Sequence, residues 1–204
     1  MTPEKRKRII DKHRDSLKRN GYHPHTLYWS SREIQQLRFE ILSRIGTQNG
    51  DSVLDVGCGF GDLFAYFQAR DIHTRYLGLD LSTDILQKAE ELYPQARFFN
   101  GDLFDLSPAE QSYDYVMLSG ALNEEMNDEG NYAKSIIKRM YQSCRKGLAF
   151  NLLSCRDEVT ARRWDLQSFD ADEILAFCCG LGAQCELIDD YIDNDFTILM
   201  RRIA

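Results

Sequence analysis

Residues 53–63 read VLDVGCGFGDL, an apolar run followed at once by glycines at three alternate positions, Gly57, Gly59 and Gly61. A short apolar run of this kind, bounded by turn residues, reads as a buried strand over Val53–Val56. Glycine lets the backbone turn tightly and lets a ligand approach without a Cβ in the way, and the amino-terminus of a following helix offers unpaired N–H groups. Strand, glycine-rich turn and helix in this order constrain the chain to an α/β fold with a ligand site beyond the carboxyl end of that strand.

The downstream pattern agrees. Short apolar runs near 52–56, 75–79, 96–100, 114–118 and 147–153 alternate with helical stretches near 61–70, 83–92, 129–143 and 170–180, the pattern of a parallel sheet covered on both faces. The chain closes differently, with QCELIDD and DFTILMRR joined by YIDN, a link too brief for a helical crossover, so the last two strands form an antiparallel hairpin. Residues 1–49 read as helices broken at RNGYHPH by Gly21 and Pro24. In SSREIQQLRFEILSRIG, Ser30 and Glu33 stand in capping-box relation, Ile34, Leu37, Ile41, Leu42 and Ile45 form an apolar stripe, and Gly46 is placed as the carboxyl cap. The expected division is a helical cap over 1–49 and a ligand-binding domain over 50–204.

At 204 residues and 43% hydrophobic content the chain suffices for one well-cored domain with a modest appendage. Its net charge of −7 is uneven: residues 1–20 hold eight Lys/Arg against three Asp/Glu, a net +5, which leaves −12 for the rest. An acidic body repels a phosphate backbone, so nucleic acid is disfavoured unless the basic arm grips it. The plainer reading of that arm is a solvated amphipathic helix. The six cysteines lack zinc-finger spacing and no leader precedes the first helix, which points to reduced thiols in a cytoplasmic protein. No run reaches the eighteen or so apolar residues of a membrane span.

Two acidic residues stand at further strand ends. Asp80 closes the second strand in YLGLDLS, where a carboxylate can accept hydrogen bonds from the two hydroxyls of a ribose, and Asp102 follows the third in FFNGDLFD, where it can meet an exocyclic adenine amine between Leu81 and Leu103. Either alone also fits a helix cap or turn. Nicotinamide and flavin sites use G-x-G-x-x-G, but here Asp62 occupies the third glycine position, which counts against a dinucleotide oxidoreductase.

Together these residues resemble the class I S-adenosylmethionine-dependent methyltransferases over roughly residues 50–202. The carriers are LDVGCGFG for the family's D-x-G-x-G-x-G motif, GLD for its acidic second-strand end, NGDLF for its adenine-contacting motif and YDYVMLSGALN for its fourth-strand motif. The resemblance implies a Rossmann-like, mostly parallel seven-stranded sheet with an antiparallel last strand, and S-adenosylmethionine as cofactor. It implies that Gly57 and Gly59, with Cys58, approach the methionine portion, that Asp55 supports the loop and the ammonium, and that Asp80 holds the ribose. Leu81, Gly101, Asp102 and Leu103 would surround the adenine, and Ser119 with Gly120 would floor the sulfonium.

Missing features narrow the acceptor. No Asn/Asp-Pro-Pro-aromatic motif follows the fourth strand and no cysteine follows a proline, so exocyclic-amine and cytosine-C5 methylation of nucleic acid are disfavoured. Asp157 and Glu158 lack companions for a divalent ion, no metal is expected, and Asp189, Asp190, Asp193 and Asp195 read as a solvated hairpin. Around the expected pocket, Tyr28 and Trp29 can meet the cationic sulfonium or merely staple the cap, and Arg38 can pair with the cofactor carboxylate or be a surface charge. His25, beside His23, and Glu124, beside Asn123, are candidate proton acceptors or orienting groups, and Tyr28 is a third catalytic candidate. Arg162, Arg163 and Trp164 can form a lid for an anionic substrate. The expectation is methylation of a small molecule at oxygen, nitrogen or sulfur. The alternatives are an RNA or ribosomal-protein methyltransferase using the basic arm, and a non-catalytic cofactor-binding module; oligomeric state is left open.

Overall fold

The computed structural model describes residues 1–203, so only the last residue of the 50–204 segment lies outside it. Seven strands form one sheet in the order β3-β2-β1-β4-β5-β7-β6. They are β1 (Ser52–Val56), β2 (Arg75–Asp80), β3 (Arg97–Asn100), β4 (Tyr113–Leu118), β5 (Cys144–Leu153), β6 (Ala183–Ile188) and β7 (Asp195–Arg202). β1 to β5 pair in parallel, and β7 runs antiparallel to both β5 and β6. The expected closing hairpin is therefore present. It inserts its second strand beside β5 and leaves β6 at the edge.

The helices are α1 (Pro3–Asn20), α2 (Arg32–Ser43), α3 (Asp62–Gln68), α4 (Thr83–Leu92), α5 (Leu103–Leu106), α6 (Asn131–Ser143), α7 (Glu158–Ala161) and α8 (Ala171–Gly180). Successive side chains of a strand point to opposite faces, and both faces here are covered, so the central strands are apolar throughout rather than alternating. Leu54, Val116, Leu148, Phe150 and Ile198 meet Ile136, Ile137, Met140, Ile174 and Cys178 of α6 and α8 on one face. Val53, Met117, Ala149 and Leu199 meet Phe39, Ile41, Leu42, Leu63 and Phe67 of α2 and α3 on the other. Each fully buried side chain of this size contributes about 1.5–3 kcal/mol of transfer free energy. The α2 stripe thus forms part of the central core.

Details of α2 differ from the expectation. Ser31, not Ser30, caps it, its hydroxyl accepting from the Ile34 N–H at 3.2 Å, because the helix starts one residue later in the Ser-Ser pair. The helix ends at Ser43 with Arg44 as its carboxyl cap, and Gly46 serves a turn beyond it at φ +106°. A short 3-10 turn over Pro24–Leu27 separates α1 from α2. Register aligns the strand ends: Val56 lies opposite Leu79 and Leu118, and Asp80 opposite Asn100. The residues that follow four neighbouring strands, Gly57, Leu81, Gly101 and Ser119, consequently stand along one carboxyl edge.

Candidate active site

A cavity of about 740 Å³ opens on that edge. All thirteen residues expected around the cofactor line it, and so do Tyr28, His25 and Glu124. The floor is a hydrogen-bonded weave of strand ends. The N–H groups of Gly57 and Cys58 both donate to the Leu79 carbonyl, at 2.8 and 2.9 Å, and the Gly101 N–H donates to the Asp80 carbonyl at 2.9 Å. The Asp80 carboxylate accepts from the Gly59 N–H at 3.1 Å and from the Ser82 N–H at 2.9 Å, one on each oxygen. Each carboxylate oxygen has a second lone-pair site, so Asp80 retains capacity for a ligand.

The glycines make room for protein as well as for ligand. A Cβ on Gly57 would sit 2.3 Å from Cβ of Ala121, and one on Gly59 2.4 Å from Cδ1 of Leu27 in the 3-10 turn. Both residues hold positive φ, +73° and +55°, a region costly for other residues. Gly120 also has positive φ, and a Cβ there would lie 2.9 Å from the Trp29 ring. Its N–H donates to Oδ1 of buried Asn151 at 2.8 Å, while Nδ2 of Asn151 donates to the Ser119 hydroxyl at 3.3 Å. Asn151, on β5, fixes the turn after β4, and no local motif announces it.

Asp55 lies under the glycine turn, buried, and accepts a hydrogen bond from the Tyr76 hydroxyl at 2.6 Å. Burial raises its carboxyl to about 7 against that hydrogen bond, with Asp80 and Asp62 adding to the rise. Asp102 caps α5, its Oδ1 accepting from the N–H groups of Phe104 and Asp105, and the Asp105 carboxylate accepts in return from the Asp102 N–H. The cap and the expected ligand contact are compatible, since Oδ2 accepts no hydrogen bond within the protein and has only Arg6 Nη1 nearby, at 3.9 Å.

Several expectations are corrected. Arg38 pairs through Nε with Asp195 while its guanidinium lies over the Trp29 ring at 4.7 Å, so it is a buried, partnered group of the cavity wall and not a surface charge. Asp195 is therefore a buried partner and not one of a solvated cluster; burial raises its carboxyl to about 6 even beside Arg38. His25 donates through Nδ1–H to the Trp29 carbonyl at 2.8 Å, which stabilises the turn. The Tyr28 hydroxyl donates to the Lys12 carbonyl, and Glu124 pairs with Lys12. Of the suggested lid, Arg163 lines the cavity but pairs with Asp165, Arg162 pairs with Glu158, and Trp164 is 87% exposed.

The largest difference concerns residues 1–20. α1 lies over the cavity, with Ile9, Lys12 and His13 in its wall, instead of standing in solvent. Arg6 pairs with Asp105 at 2.5 Å, Arg8 donates to the Glu125 carbonyl at 2.9 Å, and Lys12 pairs with Glu124. Lys7 and Arg14 pair with Asp11 on the helix itself. The sequence concealed this because Ile9 is the one apolar residue of α1 that is buried, beside Ser16 and the half-buried His13. Asp62 was likewise missed: it accepts from the Tyr22 hydroxyl at 2.6 Å and from Gln35 Nε2 at 2.9 Å, tying the cap to α3. Among the described residues no helix is long and apolar enough to cross a membrane, and no cluster of three or more His, Cys, Asp or Glu is placed to hold a metal.

Comparison with known proteins agrees with this geometry. Residues 53–147 match the family model described as a methyltransferase domain. A methyltransferase of Mycobacterium tuberculosis is 28% identical over 158 residues, covering 75% of this chain and 94% of that protein. A Haloferax volcanii methyltransferase, solved in complex with the Trm112 methyltransferase activator, superposes with a TM-score of 0.71 at 16% identity over 96% of this chain and 98% of that one. Phosphoethanolamine N-methyltransferase 2 of Haemonchus contortus, solved with phosphomonomethylethanolamine and S-adenosylhomocysteine, gives 0.67 at 16% identity, covering 94% of this chain and 60% of that one. With the strand order, the glycine turn and the acidic strand ends in place, the chain carries a methyltransferase domain over residues 53–147 and has the fold of the class I S-adenosylmethionine-dependent methyltransferases.

Proposed function

We propose that the chain transfers the methyl group of S-adenosylmethionine to a small molecule at an oxygen, nitrogen or sulfur nucleophile. The observation that carries this reading is the closure of α1 over the cavity. At about 740 Å³ the space lies within the roughly 300–1,000 Å³ usual for small-molecule sites. Of the cations that would have gripped a nucleic acid, Arg6, Arg8 and Lys12 fasten α1 to the rest of the fold and Lys7 and Arg14 pair with Asp11 on the helix surface; among the described residues, Lys5, Lys18 and Arg19 are the basic residues of 1–20 that make neither an ion pair nor a side-chain hydrogen bond. An extended polymer would have to displace α1 from three anchors to reach the strand ends.

The residues present fit the donor. Asp55 is a buried carboxyl raised to about 7 with no cation beside it, so a cationic ligand would supply the charge that its ionised form lacks. Gly57, Cys58 and Gly59 would follow the amino-acid portion, Asp80 the ribose, and Leu81, Gly101, Asp102 Oδ2 and Leu103 the adenine. Ser119, Gly120 and Trp29 would enclose the sulfonium. When bound, that group supplies an electrophilic methyl carbon and a good leaving group. The protein's share is to orient the acceptor and exclude water, which α1 and the 3-10 turn do by covering the cavity.

The test is incubation of the enzyme with donor labelled in the methyl group, against a metabolite extract and separately against RNA, ribosomes and protein. Label in the small-molecule fraction is expected. Label confined to macromolecules would overturn the substrate class.

A further inference from the structure

Two polar atoms in the cavity wall are buried and unpaired, Nδ1 of His13 and Oδ1 of Asn123. They come from two segments that meet at the cavity: His13 from α1 and Asn123 from the segment after β4, joined by the neighbouring Lys12–Glu124 ion pair. Neither belongs to the tips of β1, β2 or β3, where the donor finds its carboxylates and backbone groups under the reading above. An unpaired buried polar atom is costly, and two of them in one cavity wall mark a place where a ligand completes the hydrogen bonding.

Both can accept a hydrogen bond. The Asn123 oxygen can only accept. Burial lowers the His13 imidazole from its ordinary value, with Asp80 and Glu124 opposing and Lys12 assisting. The charged groups facing it are thus Asp80 at the end of β2, Glu124 after β4 and Lys12 on its own helix, and the Glu124 charge is answered by Lys12. The Tyr28 ring lies beside it, centroids 5.8 Å apart. A neutral imidazole has one ring nitrogen with a free lone pair. His25, Tyr28 and Glu124 are all engaged with protein groups, which leaves His13 as the histidine of the cavity wall whose Nδ1 has no protein partner.

We propose that His13 is the proton acceptor of the reaction and that Asn123 orients the substrate, which is therefore a small alcohol or amine carrying an O–H or N–H hydrogen, not a carboxylate. The inference rests on the methyltransferase reading of the preceding section. The nucleophile's lone pair closes on the methyl carbon as the carbon–sulfur bond breaks toward sulfur, leaving S-adenosylhomocysteine, and the O–H or N–H proton passes to His13 Nδ1 and then to solvent.

Sinefungin, the donor analogue with C–NH3+ in place of S+–CH3, tests this without knowledge of the substrate, because it puts N–H donors where the methyl group is transferred. S-adenosylhomocysteine leaves that place empty. By calorimetry, His13→Phe should weaken sinefungin about tenfold or more and S-adenosylhomocysteine by less than about twofold. In the wild-type protein, NMR titration of the His13 ring should show its midpoint moved to lower pH by sinefungin and left in place by S-adenosylhomocysteine; this measurement stands even where the variant fails to fold. Equal loss of both ligands would make His13 a nucleoside contact and overturn the proposal, as would an unmoved midpoint with no loss of either. If the wild-type protein bound neither ligand, the methyl-donor reading itself would fall.

Discussion

Tyr76 donates its phenolic hydrogen to Asp55 across 2.6 Å, beneath the glycine-rich turn, and both side chains are buried. The pair comes from adjacent strands, β1 and β2, and holds an acidic group below the cavity without any cation to neutralise it. Folding thus maintains a carboxyl in surroundings that disfavour its charge.

A pH-dependent stability follows. The Asp55 carboxyl is raised from an ordinary 3.8 to about 7, so between these values the folded protein holds a proton that the unfolded chain has released. The resulting stabilisation is complete below about pH 4 and is lost as pH rises through about 7. Asp55→Asn removes the titration. In urea unfolding of the ligand-free protein, the variant should match wild type near pH 4 and exceed it by up to roughly 4 kcal/mol at pH 8. A difference that does not change with pH would contradict the assignment.

Arg38 and Asp195 form the buried ion pair that joins α2 to the start of β7. Arg38→Met leaves an uncompensated carboxyl and should cost about 3–5 kcal/mol at pH 8. Asp195 already sits at about 6 beside Arg38, and without it should rise further, so the cost should shrink at pH 5, where the carboxyl is protonated. Asp195→Asn added to Arg38→Met should recover part of the loss. Equal destabilisation at both pH values would show that packing, not charge, binds the two.

The glycine turn predicts a difference between neighbours. Gly57→Ala meets a Cβ fixed to the backbone of Ala121, whereas Gly59→Ala meets the movable end of Leu27. Both bear the strain of positive φ, about 1–3 kcal/mol. Leu27→Ala should relieve Gly59→Ala by about 1 kcal/mol in a double-mutant cycle and leave Gly57→Ala unchanged, as read by thermal unfolding. Relief of both, or of neither, would contradict the packing described.

What the sequence disclosed and what it hid divide along sequence distance. Gly57, Asp80 and Asp102 were legible because each lies in a short motif whose strand and turn are themselves legible. Asp62, Arg38 and Asn151 were read as something else or not at all, because their partners lie far along the chain: Tyr22 and Gln35 for Asp62, Asp195 for Arg38, Gly120 for Asn151. The α1 cover was hidden for another reason. Its inner face is held by Arg6, Arg8 and Lys12 reaching acidic side chains and a carbonyl on the sheet edge, and a helix fastened by charge shows no apolar stripe. The one-residue error at α2 came from two adjacent serines, either of which can cap.

The central claim is that one donor molecule lies across the ends of β1, β2 and β3, with Asp80 at its ribose. Titration calorimetry of S-adenosylhomocysteine into the wild-type protein and into Asp80→Ala tests it directly. We predict one site per chain for wild type and an affinity lower by about 1–3 kcal/mol for a variant that still folds. No binding by correctly folded, ligand-free wild-type protein, or an isotherm unchanged by Asp80→Ala, would contradict it.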